Sequence, residues 1–357
     1  MPSSLQSDSV NAASGSPEQI AALLGGAGLS SLDSIGWIRV SGKDRARWLN
    51  GMVTNSVKEL QPGKGCYSFM LSAQGRIQGD AYIFAEEEAF LLEAAADRVP
   101  GLITLLGRYI IMDKVELADE SDARSGLSLS GPRAAALLEE TGLSAALPGE
   151  LEMQTVSWNS AEIAVIHAYS PLVPRFEIWA QAATVETLSK ALLEAGATAC
   201  GAEALEWLRL LEGTPRYGTD IRDRELPQET GQMRALHFTK GCYLGQEIVE
   251  RIRSRGNVHR AFTAFRLEGS LPDAGTLLEA GGKPVGELTS VAAIPLAGAT
   301  GATGETLQLG LGYARREALE GDLPLVYPGG TAIPVPVPFK AVEAPRPASA
   351  SESSERV

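Results

Sequence analysis

GCYSFMLSAQGRIQGDAYIFAEEEAFLLEAA, residues 65–95, holds three apolar runs parted only by short polar turns. GCYSFMLS, RIQGDAYIF and AFLLEAA read as successive strands, with EEE as the turn between the last two. Three strands with no helix between them do not belong to a doubly wound parallel sheet. Working outward, WIRVSG (37–42) is a strand. DRARWLNGMV (44–53) is a helix whose Trp48, Leu49 and Met52 share a face. RVPGLITLLGRYI turns helical after Pro100, and GPRAAALLEETGL is a helix between Pro132 and Gly142. EIAVIHAY and RFEIWA are strands, VETLSKALLEAGA is a helix stopped by Gly196, and GAEALEWLRLLEG is one stopped by Gly213. This mixed, irregular order predicts α+β lobes.

Past Ala261 the character changes. FTAFRLEG, PVGELTSVAAI, LQLGLGYA, LPLVY and TAIPVPVPF are short strands between Gly/Pro turns, the pattern of a small barrel or sandwich. AGATGATGE (297–305) reads as a long hairpin loop. The expected organisation is a tail over 1–20, a core over 21–260, a β-barrel over 261–340 and a second tail over 341–357. Ser/Ala/Gly and Pro/Ser/Glu composition makes both tails disordered.

Forty-four acidic against thirty-one basic residues in 357 give a net charge of −13, which disfavours broad attraction to nucleic acid or an anionic membrane. The N-terminal stretch has no basic, then apolar, signal pattern, and no run of apolar residues is long enough to span a bilayer. A cytoplasmic protein without membrane contact is expected. Three widely spaced cysteines, Cys66, Cys200 and Cys242, suit reduced thiols. With three histidines they are too few to cage a metal cluster in the ordinary way, which leaves a transient cluster or one shared between chains.

KGCYLGQE (240–247) places a thiol between two glycines, beside Lys240, just ahead of the helical repeat Ile248, Val249 and Ile252 that ends at Gly256. A helix starting near Leu244 would favour a Cys242 thiolate through its N-terminal N–H groups, with Lys240 assisting; a buried, inert cysteine is the alternative. Asp80 at a strand start faces a ligand or merely solvates the sheet edge. Glu177, among Phe176, Ile178 and Trp179, needs a partner. That partner is the donor edge of a heterocycle or a salt bridge to Arg175 or Arg209. Arg251, Arg253, Arg255, His259 and Arg260 form a basic run, either a solvated helix end with Glu247 paired to Arg251 or an anion site. No phosphate-loop, zinc-protease or Ser/His/Asp signature is present.

These segments together resemble the YgfZ family of folate-binding proteins, whose signature K-G-C-aromatic-x-G-Q-E is filled at every specified position. VSGKDRARWLNGMVTNSV with its Thr54–Asn55 pair, GKGCYSFMLSAQGRIQGDAYIF with Tyr67, LRLLEGTPRYGTD with Arg209, GELTS and GLGYA resemble further landmarks. These are shared with the glycine-cleavage T-protein, an aminomethyltransferase, and the likeness runs from about residue 30 to 340. It implies a ring of three domains, two α/β lobes plus a C-terminal β-barrel, around a channel that holds tetrahydrofolate. It also implies service to Fe–S client proteins, including tRNA-modifying enzymes, without direct nucleic-acid binding. On that resemblance Cys242 is the functional thiol, Asp80 acts near the reactive folate nitrogens, and Glu177 binds the pterin edge. Asn55, Tyr67 and Arg209 also contact the folate, and Arg251 and Arg255 are placed to engage its glutamate tail. Gly79 stands where the T-protein has a first acid. Ala204, Leu205 and Glu206 replace its ARD triplet, and Leu211 replaces a glutamate. Two other functions compete: a folate-dependent aminomethyl or methyl transferase with Asp80 as acid/base, and an RNA-binding module built on the basic run, which the net charge disfavours.

Overall fold

The computed structural model describes residues 14–143, 147–256, 258–296 and 306–340. In chain order the first part is α1 (Pro17–Gly25), β1 (Gly28–Ser31), β2 (Ile35–Ser41), α2 (Arg45–Met52), β3 (Gly65–Leu71), β4 (Ile77–Ala85), β5 (Ala89–Ala95), α3 (Val99–Gly107) and β6 (Glu116–Asp119). Then come β7 (Ser125–Ser130), α4 (Ala134–Glu140), β8 (Met153–Trp158), β9 (Ala161–Ala168), β10 (Arg175–Ala180), α5 (Ala182–Glu194), β11 (Thr198–Ala199), α6 (Ala202–Glu212) and α7 (Gln246–Arg255). The last part is β12 (Arg260–Gly269), β13 (Leu277–Ala280), β14 (Lys283–Pro295), β15 (Thr306–Arg315), α8 (Arg316–Leu319), β16 (Leu325–Tyr327) and β17 (Gly330–Val335).

One sheet runs β3-β4-β5-β2-β6, the second β11-β1-β7-β10-β9-β8, and β12-β15-β14-β13-β16-β17 close into a barrel. Because β1 belongs to the second sheet while β2 to β6 build the first, the two lobes interleave along the chain. The structure is thus the expected α+β fold with a C-terminal barrel, and its strand β13 has no counterpart in the sequence reading.

Period-two alternation decides what each sheet face does. On β4, Ala81, Ile83 and Ala85 enter a core with Trp48 and Leu49 of α2 and Leu102 and Leu106 of α3. Asp80, Tyr82 and Phe84 therefore point the other way. On β10, Phe176 and Ile178 join Leu137, Leu138, Leu188 and Leu192 of α4 and α5, which leaves Arg175, Glu177 and Trp179 on the opposite face. Those two faces meet. Trp179 packs edge-on against Trp37 at 5.6 Å and Phe84 at 5.4 Å, in a cluster completed by Leu32, Leu91 and Ile166. Each such aromatic pair adds about 0.5–1.5 kcal/mol beyond its area burial.

Helix α6 attaches the barrel: Ala204, Leu208 and Leu211 pack with Ala264, Ile294, Leu309 and Leu311. Two local expectations are corrected. Helix α1 starts at Pro17, inside the stretch expected to be a tail, because Ser16 caps it by accepting from the Gln19 N–H at 3.4 Å. Helix α7 starts at Gln246 rather than near Leu244, since Gly245 at φ 82° is its N-cap. The loop expected over 297–305 lies outside the described residues.

Candidate functional site

Asp80 is half-buried on the β4 face that meets the second sheet. The Tyr67 hydroxyl on neighbouring β3 donates to Asp80 Oδ2 at 2.6 Å, while Tyr67 stands directly across from Tyr82 in the β3–β4 register. Arg234, from the 3-10 turn Met233–Ala235, lies over the rings of Tyr169 (3.7 Å) and Tyr67 (4.2 Å). It donates from Nη2 to the Tyr82 hydroxyl at 3.1 Å and from Nε to Gln232 Oε1 at 3.1 Å, and its buried Nη1 has no partner among the described residues. Burial raises the Asp80 carboxyl, against the Tyr67 hydrogen bond and the Arg234 charge, both of which favour its ionised form. Burial and the neighbouring Asp80 push the Tyr67 phenol well up.

Beside this cluster the two sheets leave a narrow hollow of about 10 Å³, room for about one water, walled by Tyr82, Phe84, Glu93, Tyr169, Arg175 and Glu177 among others. Glu177 is 1% exposed. Its Oε1 accepts from Arg175 and its Oε2 from Trp179 Nε1 at 3.1 Å, so the carboxylate is held from both sides. Arg175 Nε is a second buried N–H without a partner among the described residues. Burial lowers the Arg175 guanidinium, but Glu177 and Glu93 outweigh it and the net direction is up. Burial, then the adjacent Glu177, push the Glu93 carboxyl well above the carboxylate range. A fixed carboxylate, a second acid that burial biases toward its protonated form, two orphaned guanidinium N–H groups and aromatic walls offer donors and acceptors to a flat, polar heterocycle, which the walls must part to admit.

A larger open cleft of about 470 Å³ lies at the barrel, lined by His259, Arg260, Arg315, Arg316, Glu229 and Glu317 among others. Arg260 is already paired with Glu229 and Arg315 with Glu317, so that cleft offers little free charge.

Of the residues expected at the site, Asp80, Tyr67 and Glu177 come together at this seam. Asn55 serves it indirectly, donating from Nδ2 to the Tyr67 and Arg234 carbonyls at 2.9 Å each and so fixing the turn that carries Arg234. Arg209 does not belong. It bonds Glu206, the Thr214 carbonyl, Asp220 and Ser290, tying α6 to the barrel, so the ion-pair partner of Glu177 among the described residues is Arg175. Arg251 is exposed on α7, the side chain of Arg255 lies outside the described residues, and the helix pair that forms is Arg253 with Glu250. Arg260, counted in the basic run, reaches the buried acids Glu225 and Glu229. The departures from the T-protein pattern also have structural sense. A side chain at Gly79 would meet Leu102 Cδ2 at 2.4 Å, and Glu206 pairs with Arg209 and Arg216.

KGCYLGQE is a clip on β3 and α2. Tyr243 packs with Tyr67, Phe69 and Ile77, and the Leu244 N–H reaches the Gly51 carbonyl. A side chain at Gly245 would stand 2.5 Å from the Ser72 carbonyl, whereas Gly241 has open space. Lys240 does not serve Cys242: its ammonium donates to the Val53 and Asn55 carbonyls. Burial pushes it down to about 8, its nearest titrating neighbour being Cys66. Cys242 itself is exposed.

Sequence reading missed Glu93, Arg175 as a site residue, Tyr82, Tyr169 and Arg234. Glu93 carried the same signal as Glu177, a lone acid in an apolar strand. Arg234 carried none, since a loop residue has no periodicity to expose it.

Two sheets packed face to face across a carboxylate-lined seam, with a closed barrel behind, define a protein of the aminomethyltransferase fold. Residues 7–240 match the family described as GCVT N-terminal domain, and the chain belongs to that family. A chloroplastic protein of Arabidopsis thaliana named as a transferase is 27% identical over 328 residues, covering 90% of this chain and 73% of that one. An aminomethyltransferase of Rubrobacter xylanophilus is 29% identical over 277 residues, covering 76% and 74%. The crystal structure of the glycine cleavage system aminomethyltransferase T of Bartonella henselae superposes with a TM-score of 0.77 at 20% identity, covering 91% of this chain and 89% of that one. No helix among the described residues is long and apolar enough to cross a membrane.

Proposed function

We propose that this protein binds tetrahydrofolate in the seam between its two sheets and uses it in one-carbon transfer of the aminomethyltransferase type. The reading rests above all on Glu177, a buried carboxylate clamped by Arg175 and Trp179 at the wall of the hollow, on the sheet that packs against the one carrying Asp80. Family membership and the aminomethyltransferases among its relatives support it. The residues present fit the pterin end of the ligand. Glu177 would accept from ring N–H donors, the free Nε–H of Arg175 would serve a ring acceptor, and Tyr82 and Tyr169 supply flat walls.

Tetrahydrofolate, when bound, supplies the nitrogens that carry the one-carbon unit. Asp80 has a raised proton affinity and one oxygen held by Tyr67, so it can hold or pass a proton at the other. Gly79 leaves Asp80 to do this without a neighbouring acid. Titration of tetrahydrofolate into wild-type and Glu177→Ala protein tests the reading, with a loss of at least about tenfold expected. Unchanged affinity in the variant sinks it. Ammonia release from an aminomethylated carrier protein tests turnover, and silence at every pH counts against transfer.

One observation favours a second reading. Cys242 is an exposed thiol presented by a fitted clip, which suits the accessory role in Fe–S protein assembly or repair implied by the YgfZ resemblance. Full recovery of Fe–S enzyme activity by Cys242→Ser in a strain lacking the protein rules that role out.

A further inference from the structure

Glu93 is the only charged residue of β5, and its register places it opposite Tyr82 of β4 and Trp37 of β2. It therefore shares the face that meets the second sheet, is 5% exposed and lines the hollow with Glu177 and Arg175. The charge count there does not balance. Two carboxyls face one guanidinium, and Arg175 is committed to Glu177, whose second oxygen is taken by Trp179. No hydrogen bond to the Glu93 carboxyl is formed among the described residues. A buried, unpartnered carboxylate costs several kcal/mol, so such a group keeps its proton.

We propose that Glu93 is a second ligand-binding carboxyl of this site and works as the neutral acid. It donates to a ring acceptor while ionised Glu177 accepts from ring N–H groups. The pair then selects a heterocycle edge that offers donors and an acceptor side by side, as the aminopyrimidinone edge of a reduced pterin does. This inference rests on the folate reading and adds to it the residue that sets ring selectivity and its pH dependence. Every charged neighbour bears on it. Glu177 and Asp80 hold the proton on Glu93, and Arg175 opposes them. Tyr82, which stands beside Glu93 in the register, is itself fixed by Arg234.

The test is tetrahydrofolate affinity for wild-type, Glu93→Gln and Glu93→Ala proteins across the pH range over which thermal unfolding shows all three folded. Wild-type affinity is expected to fall about tenfold or more as Glu93 loses its proton. Glu93→Gln keeps a donor and is expected to bind within about threefold of the low-pH wild type, with a flat pH profile; Glu93→Ala binds weakly throughout. A folded Glu93→Ala that binds as tightly as wild type, or a folded Glu93→Gln that binds as weakly as Glu93→Ala, overturns the Glu93 assignment and leaves the folate reading standing. A wild type that binds no tetrahydrofolate at any pH overturns both.

Discussion

Tyr67→Phe removes one hydroxyl and little else. The ring contacts with Phe69 at 5.4 Å, Tyr82 at 4.9 Å and the Arg234 guanidinium at 4.2 Å are all available to phenylalanine. The lost hydrogen bond, 2.6 Å to Asp80 Oδ2, is worth about 1.5–3 kcal/mol to an ionised acceptor and about 0.5–1.5 kcal/mol to a neutral one. The difference of about 1–2 kcal/mol favours the protonated acid, roughly a factor of ten in the protonation equilibrium. Asp80, already raised by burial, must then titrate at higher pH in the variant. Carboxyl 13C NMR of aspartate-labelled protein, with Asp80 assigned by its loss in Asp80→Asn, measures this. A midpoint that stays put or moves down refutes the claim that Tyr67 holds the carboxylate in its charged form.

Lys240 titrates near 8 in the folded state against 10.5 unfolded, so between those values the unfolded chain binds more protons and stability rises with pH. Lys240→Met should flatten that rise by about 1–2 kcal/mol, allowing for partial exposure, and urea melts across this range that match wild type refute it. Arg209→Met strips the fully buried Asp220 of its guanidinium partner and should cost about 3–5 kcal/mol in denaturant unfolding, a loss under about 1 kcal/mol being the contrary result. Iodoacetamide on the native protein should alkylate Cys242 first, because burial pushes the Cys66 and Cys200 thiols up to about 12 and about 11. Peptide mass spectrometry showing equal labelling of Cys66 or Cys200 overturns that.

Much of the fold was legible because period-two and helical spacing report directly which side of an element is buried. The glycines that stop α5, α6 and α7 were readable for a similar local reason, since Gly196, Gly213 and Gly256 all adopt positive φ. Helix α1 and the strands β1, β6, β7, β8, β11 and β13 escaped, most of them too short or too polar to show a pattern. The site was half legible. Glu177 declared itself as an acid where an apolar residue was due, and Glu93 did the same without being noticed. The arginines were not legible, because a run such as 251–255 looks basic in one dimension whatever its side chains meet in three.

By itself the sequence determined the longer strands and helices, the change to a barrel near residue 260 and the presence of carboxylates in buried strands. These follow from local spacing and from the cost of burying charge. Tertiary structure alone decided the partners. Arg234 meets Tyr82 across 152 residues of chain, Lys240 turns to Val53 and Asn55 rather than to Cys242, and Arg209 goes to Asp220 instead of Glu177. Long cationic side chains are steered by whichever oxygens packing brings within reach, and that proximity is a property of the folded sheets, not of neighbouring letters.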